Sequence, residues 1–418
     1  MPPSVRDTSV KPSPTADARA RAGQTRTALA VFALATGGFA IGTTEFAIMG
    51  LLSDVVEDLQ ISLAMGGHLI SAYALGVVVG APLLAVLGAR LPRKKLALGL
   101  MLLFTLANLS SYVAPDYGWL LLTRFISGLP HGAYFGLAAI IAASLVPPTR
   151  RARAVASVML GLSIANVIGV PLATWIGQQF GWRLMFVFVG LIGLLTLALI
   201  TKYVPFQYAA ADASIRRELG ALKRVQVWLA LLIGIVGFGG FFAVYSYISP
   251  TMTQVTGLPS TALPFIVALY GIGMVVGNII GGRIADRSVM GSIYGCMVAV
   301  ATVLLVFSWA VQIPWSAILL VFLVGAAGSM LVPALQTRLM DVAGDAQSLA
   351  ASLNHAALNT ANALGAFLGG LVITWGWGLV ALARVGAGLA VLGLLIALFS
   401  GNLQRRHRFS SDAAALAE

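Results

Sequence analysis

The chain has 418 residues, 59% of them hydrophobic and only 10% charged, with a mean hydropathy of +0.93. Soluble domains carry about 25% charged residues, so this composition excludes a water-solvated globular protein and points to an integral membrane protein. The net charge of +12 would suggest a nucleic-acid partner in a soluble chain, but its distribution argues otherwise, and the single cysteine, Cys296, excludes an internal disulfide and a cysteine-based metal site.

Residues 1–26 contain the polar stretch VRDTSVKPSPTADARARAGQTR, with no apolar core and no small-residue cleavage site, and read as a disordered cytoplasmic tail. Beyond it, runs of apolar residues recur, each long enough at 1.5 Å per residue to cross about 30 Å of hydrocarbon. They predict an all-α membrane protein of twelve transmembrane helices, at 28–52, 65–87, 95–114, 118–144, 154–177, 183–203, 226–249, 262–284, 291–312, 315–337, 347–373 and 378–400. The predicted organisation is a six-helix bundle at 27–203, a polar cytoplasmic linker at 204–225, a second six-helix bundle at 226–400 and a cytoplasmic tail at 401–418. With both termini in the cytoplasm, every lysine and arginine except Arg124, Arg183 and Arg384 falls on or beside the cytoplasmic face, and Asp54, Glu57, Asp58 and Asp116 fall on the other. The basic excess is therefore a topology signal, and no nucleic-acid partner is expected.

Helix 1 contains IGTTEFAIMGLL, which places Glu45 inside an apolar span, where a charge costs at least about 2.5 to 3.5 kcal/mol. Helix 4 carries Arg124 in LLTRFISGLPHG. Counted from the outer ends of the two helices, the acid lies about 12 Å deep and the base about 9 Å deep. Matched depth and opposite sign allow a Glu45–Arg124 pair, provided that helices 1 and 4 face one cavity. Movements that change the separation or hydration of such a pair would bind and release protons; a static pair that only fixes helix packing is the alternative. His131 shares the Arg124 face of helix 4, two turns on, where it either relays protons or bonds a backbone carbonyl freed by Pro130.

Arg183, at the start of helix 6, needs only to snorkel to the interface. Helix 7 contains GFGGFFAVYSYISP, whose Phe241, Phe242 and Tyr245, with Tyr134 and Phe135 of helix 4, suit a flat or amphipathic small molecule, or ordinary packing. Helix 11 is unusually polar through Asn354, Asn359 and Asn362, which are too costly to face lipid and so face a cavity or bond across helices. Arg384, about six residues into helix 12, matches no acid in the sequence.

A repeat is legible across the linker. AVLGARLPRKK follows helix 2 and GRIADRSVMG follows helix 8, the same serial place in each half. Two such halves joined by a linker are the anatomy of a rocking transporter with its site between them. The second stretch, with Gly282, Ile284, Ala285, Asp286 and Arg287, resembles the hairpin pattern G-x-L-A-D-R-x-G-R-R of the major facilitator superfamily. The first keeps only Arg90, Arg93 and Lys94 of it, with Ala89 in place of the acid and Pro92 in place of the glycine. In that family the acid caps a helix of the other half and helps close the cytoplasmic gate.

LLTRFISGLPHG is similar to the family's helix 4 motif at Arg124 and Gly128. GLSIANVIGVPLATWIG is similar to the exporters' helix 5 motif at Gly161, Gly169 and Pro171. With GTTEFAIMGLL, SGLPHGAYFG and SLNHAALNTANALGAFLGG, the chain resembles the twelve-helix drug:proton antiporters and, within them, the chloramphenicol-resistance and sugar-efflux group. The resemblance implies a monomeric, proton-coupled exporter in the bacterial inner membrane that needs no cofactor or metal. The expected cargo is a small, mostly uncharged compound, a phenicol antibiotic first and a sugar or nucleoside second. No hydrolase, metalloprotease or phosphate-binding motif suggests an enzyme.

Overall fold

The computed structural model describes residues 14–88, 90–208, 223–343 and 347–415. Among these there is no strand, and twelve helices are long and apolar enough to cross a membrane. They are α1 (Thr25–Gly50), α2 (Leu63–Leu84), α3 (Arg93–Tyr112), α4 (Tyr117–Ser144), α5 (Arg153–Phe180), α6 (Leu184–Tyr203), α7 (Val225–Tyr245), α8 (Ser260–Ala285), α9 (Val289–Ala310), α10 (Pro314–Ala343), α11 (Leu353–Thr374) and α12 (Ala381–Gln404). The start of α1 and the end of α12 lie at one end of the bundle, called here the terminal end; the other is the far end.

Helix extends past both ends of the apolar series. The helix that becomes α1 begins at Pro14, so residues 14–26, expected to be disordered, are helical; alanine and arginine, both strong helix formers, dominate ADARARAG. The helix of α12 likewise continues to Ala415. Most of the predicted linker, 209–222, lies outside the described residues, as do residues 1–13, Ala89 and 416–418.

Three spans are interrupted where proline removes a backbone donor. In α5 a π-turn, Ala165–Gly169, precedes Pro171. After α7, the short helix Ile248–Pro250 leads into a second π-turn, Thr251–Val255. In α10, Pro333 cannot donate to the Ser329 carbonyl, and the helix is divided into Pro314–Ser329 and Leu331–Ala343.

The packing repeats across the two halves. In the first, α1 packs on α5 and α6, α4 on α2 and α3, and α3 on α6; in the second, α7 packs on α11 and α12, α10 on α8 and α9, and α9 on α12. Two seams join the halves, α2 against α11 and α5 against α8. Glycine permits the closest crossings: a Cβ on Gly161 would overlap the Ala35 carbonyl of α1, and one on Gly271 would overlap the Asn166 carbonyl across the α5–α8 seam.

Candidate functional site

Four helices of the first half bring their polar side chains to one buried cluster. Arg124 of α4 is 0% exposed and Glu45 of α1 is 5% exposed. The guanidinium donates from Nη1 to the Thr44 carbonyl (3.1 Å) and to Thr44 Oγ1 (3.2 Å), and its carbon lies 4.4 Å from the centroid of the Tyr73 ring of α2. A desolvated cation over an aromatic face is worth about 2 kcal/mol or more, which offsets part of the cost of burying the charge. Thr44 Oγ1 in turn donates to Asn108 Oδ1 of α3 (2.7 Å). Tyr73 reaches on: its hydroxyl lies 3.1 Å from His131 Nδ1 in a hydrogen bond, and that nitrogen is 4.0 Å from Glu45 Oε2.

The acid and the base thus share a cluster, but the expected direct pair is not formed. No ion pair joins Glu45 to Arg124 among the described residues. The guanidinium is held on Thr44, and the next residue in a helix points about 100° away, so the carboxylate meets His131 instead. His131 also departs from its expected backbone bond, taking a side-chain partner on a neighbouring helix. Buried Arg124 Nη2 has no hydrogen-bond partner among the described residues.

The aromatic set lies against this cluster from the second half. Phe46, next to Glu45, stacks on Phe242 (centroids 6.4 Å, 7°) and lies 5.9 Å from Tyr245. Tyr245 stacks in turn on Tyr270 of α8 at 3.6 Å, beside Phe241. Near the terminal end, Phe135 of α4 lies parallel to His355 of α11 (5.9 Å, 2°). Tyr134, expected to line a cavity, is instead fully buried in the first half, its hydroxyl bonded to the Leu34 carbonyl, because Gly37 leaves the space its ring fills.

The helix 11 amides divide. Asn354 donates to Gln336 of α10 (2.6 Å) and Asn359 to the His355 carbonyl (3.1 Å), whereas Asn362 has neither its oxygen nor its nitrogen bonded. Among the described residues, Asn359 Oδ1, Ser246 Oγ, Tyr270 Oη and Ser329 Oγ are, like the Asn362 amide, buried without partners. An unpartnered buried polar atom costs about 1–3 kcal/mol, and these five residues of the second half carry such atoms.

The residues expected to gate lie elsewhere. Arg93 bonds Gln207 through its backbone N–H (3.0 Å), Lys94 donates to the Thr201 carbonyl (2.8 Å), and Arg90 is exposed, so this loop is tied to the end of α6 in its own half. Asp286 and Arg287 are exposed and form no ion pair among the described residues, and Gly282 has open space beside it. Gly169 lets Thr43 and Phe39 of α1 pack against the π-turn that precedes Pro171. Arg384 lies in the first turn of α12, exposed; the helix starts at Ala381, so this arginine is shallower than the sequence placed it. Arg183 does more than snorkel, since it bonds Asp58 and lies over the Trp182 ring.

Tyr73, Thr44 and Asn108 were missed. Asn108, a lone amide in the apolar run MLLFTLANLSS, was the one with a signal; Tyr73 and Thr44 are ordinary residues in membrane helices.

Known proteins place the chain in a family. The chain is 40% identical over 374 residues to the inner membrane transport protein YdhP of Escherichia coli, covering 90% of this chain and 96% of that one. It is 33% identical over 346 residues to a chloramphenicol resistance protein of Streptomyces lividans, covering 81% and 87%. Among solved structures, a bacterial homolog of the human lysosomal transporter Spinster, inward-facing and occupied, matches with a TM-score of 0.67 at 17% identity, over 90% of this chain and 96% of that one. The Major Facilitator Superfamily profile matches residues 34–346, from within α1 to just past the end of α10. That match takes in the charged cluster, the linker and both partners of the α5–α8 seam, and on it the chain belongs to the Major Facilitator Superfamily.

Proposed function

We propose that this transporter is a proton-coupled exporter, exchanging protons for small, mostly uncharged organic compounds, with a phenicol antibiotic as first cargo. The observation that carries the reading is the buried Glu45 beside His131, linked through Tyr73 to Arg124. Intramembrane acids of this kind are costly and serve ion pathways. A carboxylate with a histidine at 4.0 Å, itself linked through Tyr73 to a cation, can take up a proton in one arrangement and lose it in another. Cycling between the two would carry protons against cargo, with the α2–α11 and α5–α8 seams as the surfaces that open and close.

The unpartnered amides and hydroxyls of the second half favour a neutral cargo rich in hydrogen-bonding groups, and the rings of Phe46, Phe242 and Tyr245 favour one with a flat face. Both features fit a phenicol. A sugar or nucleoside is the second reading, favoured by the same amides and hydroxyls. We place the chain in the bacterial inner membrane as a monomer with cytoplasmic termini.

The test is efflux of labelled chloramphenicol, arabinose and inosine from cells lacking their own pumps, with and without collapse of the proton gradient. Efflux that needs the gradient, and that Glu45→Gln abolishes, is expected. Undiminished gradient-driven efflux by Glu45→Gln would remove Glu45 from the mechanism, and efflux indifferent to the gradient would remove proton coupling.

A further inference from the structure

Two adjoining cavities open at the terminal end of the first half. One, of about 1010 Å³, runs between α1 and α5; the other, of about 540 Å³, lies among the ends of α1, α3, α4 and α6, and the two share Thr27 and Leu145. The smaller is lined by three cations, Arg26, Lys94 and Lys202, and the mouth of the larger by Arg150 and Arg153. Among the described residues no acid lines either cavity, and none of the five cations forms an ion pair.

Depth makes the pair of cavities specific. Arg26, Lys94, Lys202 and Arg153 all sit within two residues of an end of their spans, the level at which lipid phosphates lie. Below them the larger cavity becomes apolar, walled by Phe32 and Phe39 of α1 and Leu160 and Ile164 of α5. From Arg153 to Ile164 the helix descends about 16 Å, close to half of the roughly 30 Å hydrocarbon core and so to the reach of one acyl chain. Basic pockets between helices at this level suit acidic headgroups.

We infer that these two cavities form one binding site for an anionic phospholipid, its phosphate among Arg26, Lys94 and Lys202 and one acyl chain in the α1–α5 groove. A soluble anion would use the cations and leave the groove empty; a neutral lipid would use the groove and leave the five cations without an anion, Lys94 holding only the Thr201 carbonyl and Lys202 only the face of the Tyr203 ring. The site is separate from the Glu45 cluster and stands whichever compound is carried.

The full chain in detergent is titrated with phosphatidylglycerol, phosphatidylcholine or inorganic pyrophosphate, reading bound lipid by native mass spectrometry and stability by thermal unfolding. Phosphatidylglycerol is expected to bind and raise Tm, and the other two are not. Removing two cations with Lys94→Gln/Lys202→Gln is expected to weaken phosphatidylglycerol about thirtyfold. Lys94→Arg/Lys202→Arg should restore it, as should leaving the site intact and placing Arg224→Gln/Arg283→Gln in the second half. Equal binding of phosphatidylcholine, displacement of the lipid by pyrophosphate, or equal loss in the second-half variant would each overturn the proposal. A Gln double variant that unfolds is replaced by Ile164→Lys, which puts a charge in the groove and is expected to displace the acyl chain; unchanged binding in that variant would overturn the proposal equally.

Discussion

Tyr73 holds a position between two groups that do not touch. Its ring lies under the Arg124 guanidinium and its hydroxyl bonds His131, so one side chain couples the base of the cluster to the residue facing the acid. Tyr73→Phe keeps the ring and removes the hydroxyl. It is expected to leave His131 Nδ1 without its bond, to lower stability by about 1–3 kcal/mol and to alter the pH profile of transport while the protein still reaches the membrane. Tyr73→Leu removes the ring as well and should cost about 2 kcal/mol more. Thermal unfolding of both variants beside their transport rates tests this, and equal stability of the two would show that the ring does not hold Arg124. Glu45, Arg124 and His131 were legible in the sequence because an ionisable residue in an apolar run stands out. Their wiring was not: the pairing depends on which way residue 44 presents its carbonyl, and on a tyrosine from a helix that carries no charge.

Among the elements, α5 and α7 show how glycine sets helix distance. A Cβ on Gly240 of α7 would overlap the Gly386 carbonyl of α12, backbone against backbone, with no side chain free to move aside. Gly240→Val is expected to destabilise the second half by about 3 kcal/mol or more, beyond the usual range for an overpacked core, because two helices must separate. Gly99 and Gly295 have nothing within 4 Å of the added atom, so Gly99→Ala and Gly295→Ala are expected to be neutral or to stabilise by about 0.5–1 kcal/mol. Tm values of the four proteins, parent included, decide the matter, and equal effects at Gly240 and Gly99 would defeat the argument. The twelve apolar runs predicted the spans to within a few residues at most ends, since run length and the bilayer agree. The π-turn of α5 and the division of α10 were less legible: Pro171 and Pro333 mark where a bond is lost, while neighbouring helices decide how the backbone closes the gap.

For the whole molecule, the far end is where the halves are tied by polar contacts. Ser249 Oγ lies 3.1 Å from Ser53 Oγ, and Gln178 donates to the Ser260 carbonyl (2.8 Å). A cysteine pair at Ser53 and Ser249 is expected to crosslink under oxidant and halt transport, reversibly with reductant; transport that continues through the crosslink would show that this end need not open. Nearby, the Arg183 hydrogen bond holds the Asp58 carboxyl below the usual carboxylate range, while burial pushes Asp54 above it. The Asp58 contribution is therefore present above about pH 4 and lost as pH falls through its lowered value; the Asp54 contribution has the opposite sign and is lost as pH rises. Asp58 is partly exposed, so Asp58→Asn should cost no more than about 1 kcal/mol at pH 7, and the difference in Tm from the parent should shrink toward pH 3. The two halves were legible from the repeated hairpins, but nothing in the residue pattern told that Ser53 and Ser249 would meet. One asymmetry of the site reaches further. Its acid and its guanidinium both belong to the first six helices, whereas among the described residues the amides and hydroxyls buried without partners all belong to the last six. On the proposed roles, exchanging the C-terminal bundle for that of a relative is expected to change what is carried and to keep the proton step, so that divergence in cargo could accumulate in one half of the gene without endangering the supply of energy encoded by the other.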